Sequence, residues 1–297
     1  MKRAIHLVLA AAIVGPLIAE AQPARAAIAG QVVRVTKTSA WSTPSPDPSG
    51  ITYLPGKHRL LISDSAVDNS RVWHRRDLFI AGLKGHLRAA RTLTKATYNP
   101  VGVAWNPKAK ALYVADDNAD AVYRFTAGRD GNLGTRDDHV NWIINTENFG
   151  FSDPHGLAWR PTGHILIIVD STTGRVYKIH RGKDRRFGTR DDTVASFGAF
   201  RLGLTHPEGS TYDSRTDHLF IVSSGQRFIV ETTLKGRLIR KIDLSTTGID
   251  RPSAVVFAPG TDGGRHRMYV TDRGVNFTLD PNENDGRLFE FKLVRVP

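Results

Sequence analysis

One motif recurs five times along this chain of 297 residues. Each copy opens with a Pro-bearing turn and a Gly or Ala anchor, places an aromatic three residues on, and continues into a second apolar strand. The copies read DPSGITYLP…RLLISD, NPVGVAWNP…ALYVAD, DPHGLAWRP…LIIVD, HPEGSTYDS…LFIVSS and RPSAVVFAP…RMYVTD. Their anchors are Gly50, Gly102, Gly156, Gly209 and Ala254, and the aromatics are Tyr53, Trp105, Trp159, Tyr212 and Phe257. The steps between anchors are 45 to 54 residues, and repeats of that length, each made of short alternating strands, specify a β-propeller, because one such unit cannot bury its apolar faces without neighbours.

Each repeat supplies four strands. The third shows apolar–polar alternation in AVYRF, RVYKI, FIVET and RLFEF, and the fourth in HLRAARTL, HVNWII, TVASFGAF and GRLIRKIDL. The fifth repeat stops after its third strand. The segment QVVRVTKTSA, residues 31–40, alternates and precedes the first anchor, so it is expected to complete the last blade and remove its open edge. The expectation is an all-β chain forming a single propeller of four-stranded blades, five in number, with six as the alternative because residues 66–84 are irregular.

Residues 1–26 read as a secretory signal: Lys2 and Arg3, an apolar stretch, then Ala-Arg-Ala before the mature chain 27–297. That apolar stretch is broken by Gly15-Pro16, and no later segment has membrane length. The expectation is therefore a secreted, extracytoplasmic monomer without a membrane span. There is no cysteine, which excludes disulfides and thiolate metal sites. The formal charge of +12 admits an anionic ligand or envelope partner, but the basic residues are scattered and no nucleic-acid motif is present.

Propeller topology places the residues just before each inner strand at one mouth of the central channel. Asp47, Asn99, Asp153, His206 and Arg251 stand three before the anchors; Ser49, Val101, His155, Glu208 and Ser253 stand one before. Asn99, Asp153, His155, His206 and Glu208 are the ligand-binding candidates there. Glu208 and His155 occupy the same position in adjacent repeats, and a carboxylate beside an imidazole suits acid–base work or a divalent metal, which makes them the catalytic candidates. The residues fourteen after the anchors, Asp64, Asp116 and Asp170, with Asp272 in the fifth repeat, form a column read as turn acceptors, broken by Ser223.

Two further groups offer oxygen ligands for Ca²⁺ or another divalent cation. Asp280, Asn282, Asn284 and Asp285 lie in the long loop of the fifth repeat. DGNLGTRDD and DRRFGTRDD repeat almost verbatim and supply Asp130, Asp137 and Asp138, then Asp184, Asp191 and Asp192. No nucleophile elbow, phosphate-binding loop or HExxH is present, and no organic cofactor is indicated.

The repeat text PxG(I/V)A…LYVAD resembles NHL-type and gluconolactonase-like propellers. SGITYLP, HPEGSTYD…LFIVSS and YVTDRG…DPNENDGRLFEF are similar to bacterial SdiA-regulated and phytase-esterase-like propellers, over roughly residues 48–293. The repeat architecture without a compact catalytic constellation points to a binding module recognising a ligand or partner at the channel mouth, with Ca²⁺ as a candidate ion. The alternative, which the resemblance implies, is a metal-dependent hydrolase of a lactone, ester or phosphate ester with its site at that mouth. In the gluconolactonase-like case the resemblance implies metal ligands at Glu208, Asn99 and one of the column aspartates. The first strand departs from that family: Pro48-Ser49-Gly50 stands where it carries Glu-Gly-Pro.

Overall fold

The anchor glycines are explained by how closely the inner strands approach one another. A Cβ on Gly50 would sit 2.2 Å from the Val101 carbonyl oxygen, on Gly102 2.0 Å from that of His155, and on Gly156 2.1 Å from that of Glu208. One on Gly209 would meet Ala254 Cα at 2.3 Å. Backbone packs on backbone around the channel, so four of the five anchors need a residue without a side chain, while the fifth accommodates Ala254.

The structure, a computed structural model, describes residues 27–65, 67–72, 74–275 and 282–296. β1 (Ile28–Lys37) is followed by four antiparallel meanders. These are β2–β5 (Pro48–Leu54, Arg59–Asp64, Leu78–Gly82, Leu87–Arg91) and β6–β9 (Pro100–Asn106, Ala111–Asp116, Ala121–Thr126, His139–Asn145). Then come β10–β13 (Pro154–Arg160, Ile165–Asp170, Arg175–His180, Thr193–Gly198) and β14–β17 (Pro207–Asp213, His218–Ser223, Phe228–Thr233, Leu238–Asp243). The chain closes with β18–β20 (Pro252–Ala258, Arg267–Asp272, Arg287–Arg295). Only short 3-10 turns accompany the strands; no α-helix occurs among the described residues, and none is long and apolar enough to cross a membrane.

The inner strands β2, β6, β10, β14 and β18 each pack on the next, and β18 returns to β2. Ser253 Oγ donates to the Pro48 carbonyl at 2.5 Å across that closure. β1 pairs antiparallel with β20 from Ile28 opposite Arg295 to Lys37 opposite Arg287, supplying the fourth strand of the last unit. It begins three residues earlier than expected and gives way to a 3-10 turn at Thr38–Ala40. Its first residues also run parallel to β17, Ile28 beside Ile242, which joins the fourth and fifth units into one eight-stranded sheet. Among the described residues of the irregular stretch 66–84, one strand forms, β4. The described residues therefore form five four-stranded units around one channel. The leader expected over residues 1–26 lies outside the described residues.

Apolar contacts run from unit to unit. Leu112, Val114 and Phe125 pack with Leu61 and Leu78, while Leu166 and Ile168 pack with Tyr113, Val122 and Ile144. Phe289 and Phe291 join Ile242 and Val255 at the closure. Each fully buried Leu, Ile or Phe contributes about 1.5–3 kcal/mol relative to exposure, and such inter-blade contacts hold the units together without disulfides.

Candidate functional site

The mouth of the channel is built from three rings of five residues. Two are the rings anticipated from the repeat. The third follows the second strand of each unit: Ser65, Asp117, Ser171, Ser224 and Arg273. The column aspartates hold these rings in place. Asp64 Oδ2 accepts from Asp47 N (3.0 Å) and Ser45 Oγ (2.7 Å), Asp170 Oδ2 from Asp153 N (3.0 Å), and Asp272 Oδ1 from Arg251 N (2.7 Å). Ser223 does the same work with a hydroxyl, accepting from His206 N at 3.0 Å. In the second unit Asp116 instead accepts from Ala119 N, and Asn99 N turns to Thr97 Oγ1. Ser223 is thus a variant of the clip rather than a departure from it, and His206 enters through its main chain while its side chain is exposed.

Asp117, Asp153 and His155 converge. Their candidate ligand atoms all lie within 4.8 Å of one another. His155 Nδ1 is 2.9 Å from Asp153 Oδ1, and Nε2 is 3.5 Å from Asp117 Oδ2. Thr172 Oγ1 donates to Asp153 Oδ2 at 2.7 Å, and Asn99 Nδ2 donates to Asp117 Oδ1. Burial pulls the His155 imidazole down, but Asp153 and the charges of Glu208 and Asp117 outweigh it and raise its pKa. Burial pushes the Asp117 carboxyl up, while His155 more than offsets burial at Asp153 and draws it down. The cluster is a place for positive charge, as a proton on imidazole or as a metal ion. Two carboxylates and one imidazole, with second partners fixing both acids, fit a divalent cation. A mixed N/O set suits Zn²⁺ or Mn²⁺ better than Ca²⁺, which takes oxygen.

Across the mouth, Arg273 ties three units together. Its Nε lies 2.9 Å from Asp47 Oδ1 and its Nη1 3.3 Å from Glu208 Oε2. Nη2 donates to Ser49 Oγ (3.1 Å) and Ser65 Oγ (3.0 Å). Burial works against the guanidinium charge, but Asp47 and Glu208 outweigh it and hold the proton firmly. Asp47 moves up, because burial exceeds what Arg273 returns. The anticipated pair is therefore divided: Glu208 is ion-paired to Arg273, and His155 belongs to the two aspartates, coupled to Glu208 through its field alone. Asp117 and Arg273 had escaped notice, although both stand one residue beyond the aspartate column, where three of five repeats carry Ser.

The other acidic groups are organised differently. In the twin hairpins, Asp138 Oδ2 accepts from Gly134 N (2.7 Å) and Asp192 Oδ2 from Gly188 N (2.7 Å). Asp137 accepts from Asp130 N and Thr135 Oγ1, and Asp191 from Asp184 N and Thr189 Oγ1. Asp130 and Asp184 accept from the residues two further on. These carboxylates close their own turns: Asp137 and Asp138 share Thr135 Oγ1, and in neither hairpin do three ligand atoms come together. Of the long-loop set, Asp280 lies outside the described residues. Asn284 Nδ2 donates to Ser39 O (3.1 Å) and Asp285 Oδ2 accepts from Val275 N (2.9 Å). Asn282 flanks Glu283, a buried residue not anticipated, whose carboxyl is pushed up to about 8 by burial and by Asp285.

Fold and mouth together define a β-propeller with a polar channel entrance able to hold a cation. Residues 142–273 match the family described as SMP-30/Gluconolactonase/LRE-like region. That span contains Asp153, His155, Glu208 and Arg273, and over it the chain is similar to gluconolactonase-like propellers. No curated protein sequence matches it. Glutaminyl cyclase of Myxococcus xanthus superposes with a TM-score of 0.59 at 12% identity, over 92% of this chain and 99% of that one. The PQQ-bound aldose sugar dehydrogenase of Streptomyces coelicolor gives 0.55 at 13%, over 91% and 99%. A gluconolactonase of Xanthomonas campestris gives 0.47 at 13%, over 82% and 71%. At these identities the likeness is one of fold.

Proposed function

We propose that the channel mouth holds a divalent cation on Asp117, Asp153 and His155, and that the site hydrolyses a lactone or ester. The observation that carries this reading is the convergence of three ligand-competent side chains from two adjacent blades. The match of residues 142–273 to a gluconolactonase-containing family supports the substrate class. When bound, a divalent cation supplies Lewis-acid polarisation of a carbonyl oxygen. Asn99 and Thr172 orient the two carboxylates, and Arg273, fixed by Asp47 and Glu208, places a permanent positive charge on the far wall, where developing negative charge is stabilised.

The test is direct. Protein stripped with chelator and reloaded separately with Zn²⁺, Mn²⁺, Ca²⁺ or Mg²⁺ is assayed for bound metal and for turnover of lactone, ester and phosphate-ester substrates. One cation should bind at one per chain and support lactone or ester turnover, and Asp117→Asn should lose both. Stoichiometric metal without turnover on any substrate would reject the hydrolase and leave a binding module.

That second reading has its own observation. Arg273 commits both Glu208 and Asp47, so neither carboxylate stands free over the cluster as a general base. Ca²⁺ remains the alternative cation. Export is part of the same proposal, resting on the basic and apolar opening of the chain. The protein recovered from outside the cytoplasm should be a monomer beginning at Ala27. An anionic ligand or envelope partner accords with the formal charge of +12.

A further inference from the structure

The opposite end of the channel carries a second constellation, which the mouth does not use. A cavity of about 290 Å³ lies there, and the five aromatics that mark the repeat, Tyr53, Trp105, Trp159, Tyr212 and Phe257, all line it. If those aromatics served packing alone, the polar residues among them would be out of place. Ser210 stands where the other repeats carry Ile51, Val103, Leu157 and Val255. It is 4% exposed, lines the cavity, and its hydroxyl has no hydrogen-bond partner among the described residues. A buried hydroxyl left so costs about 1–3 kcal/mol.

Asp213 lines the same cavity and is 5% exposed. The four-residue insertion of the fifth repeat, TDGG, leads into His266. Its imidazole stacks on Phe257 (centroids 4.3 Å, planes 9° apart) and sets Nε2 3.3 Å from Asp213 Oδ2. Arg215 Nε approaches the other oxygen at 3.6 Å. The insertion thus delivers a polar group to an aromatic-lined cavity.

The chemistry of the lining selects among ligands. An organic cation would be drawn to the ring faces, but His266 and Arg215 already answer the carboxylate, and His58 and His164 stand beside Tyr53 and Trp159 at 6.5 and 6.2 Å. An anion would meet Asp213, which those partners keep ionised against its burial. A neutral polyol escapes both objections. Its C–H faces rest on the electron-rich ring faces, and its hydroxyls donate to Asp213 and exchange hydrogen bonds with Ser210. We propose that this end of the channel is a second binding site, for a small neutral polyhydroxylated ligand of the sugar or polyol class, independent of any cation at the mouth.

Trp105 and Trp159 provide the readout. Tryptophan emission of the full chain is titrated in EDTA with glucose, trehalose and myo-inositol, with choline chloride and sodium phosphate as contrasts. At least one neutral probe should give a saturable change. Asp213→Asn and Ser210→Val should each raise its dissociation constant tenfold or more. Ser210→Val puts an apolar, bulkier side chain where the other repeats are apolar, so it decides the matter if Asp213→Asn does not fold. No saturable response to a neutral probe, a response to choline or phosphate alone, or undiminished binding by folded Ser210→Val overturns the proposal.

Discussion

Arg273 Nη1 lies 3.3 Å from Glu208 Oε2, while Nε of the same guanidinium lies 2.9 Å from Asp47 Oδ1. One side chain of the fifth unit thus neutralises carboxylates of the fourth and the first, beside the place where the ring closes. Removing it would leave two buried acids without their countercharge. Arg273→Ala is expected to cost about 3–5 kcal/mol, the penalty for breaking a buried pair on one side. Urea unfolding monitored by tryptophan emission measures it. Asp47→Asn in the Arg273→Ala background should recover part of the loss, and an unchanged urea midpoint for the single variant would show that the guanidinium is not holding the ring.

Glu283 gives a pH dependence with a definite sign. Its carboxyl titrates near 8 in the folded chain against an ordinary 4.5, because burial and the charges of Asp285 and Asp47 exceed the help from Arg251. A raised folded-state value means stability that is fully present below about 4.5 and is lost as pH rises through 8. Glu283→Gln, which cannot ionise, should therefore melt close to the parent at pH 4.5 and above it at pH 9. Melting curves of the two proteins that stay parallel from pH 4.5 to 9 would contradict the assignment.

The fold was legible because its determinants are local and repeated. The aromatic three residues on recurs in all five repeats, the Gly anchor in four, and an aspartate at the end of the second strand in four, with the fifth copy displaced by its insertion. The mouth was only half legible. Which residues line it follows from strand topology, so Asn99, Asp153, His155 and Glu208 could be named. Which of them touch depends on side-chain reach across the channel. Arg273 spans three units with its long stem, and no offset in the sequence records that reach. Asp117 was obscured by the aspartate immediately before it, whose structural role is the more frequent one. The acid-rich hairpins show the limit of spacing alone, since three carboxylates close together in sequence accept from the turn's own N–H and hydroxyl groups.

Those hairpins allow an internal comparison. Asp138 is 2% exposed and accepts from Gly134 N at 2.7 Å and Thr135 N at 3.4 Å. Asp192 makes the equivalent bonds to Gly188 and Thr189 but is only half-buried. Asp138→Ala should cost about 1–3 kcal/mol, the range for orphaned buried donors; Asp192→Ala should cost less, because water can replace the lost acceptor. Neither variant should change how melting responds to EDTA or Ca²⁺. A chelator response present in the parent and absent from either variant would return these loops to the list of metal sites.

The anchor glycines couple the fold to the site. A Cβ on Gly102 would lie 2.0 Å from the main-chain oxygen of His155, the residue whose imidazole sits between Asp117 and Asp153. The obstacle is backbone, so the two inner strands must separate rather than a side chain turn aside. Gly102→Ala should cost about 1–3 kcal/mol, as overpacked interiors do. Gly56→Ala, whose added methyl meets nothing within 4 Å, should stay within about 0.5 kcal/mol of the parent. The separation also carries His155 away from Asp117, which lies beyond the same strand on the second unit. Zn²⁺ affinity measured by competition with a chelating dye should therefore fall in Gly102→Ala and hold in Gly56→Ala. Equal affinity in the two variants, with Gly102→Ala destabilised, would mean that the cation cluster is not set by the spacing of the inner strands.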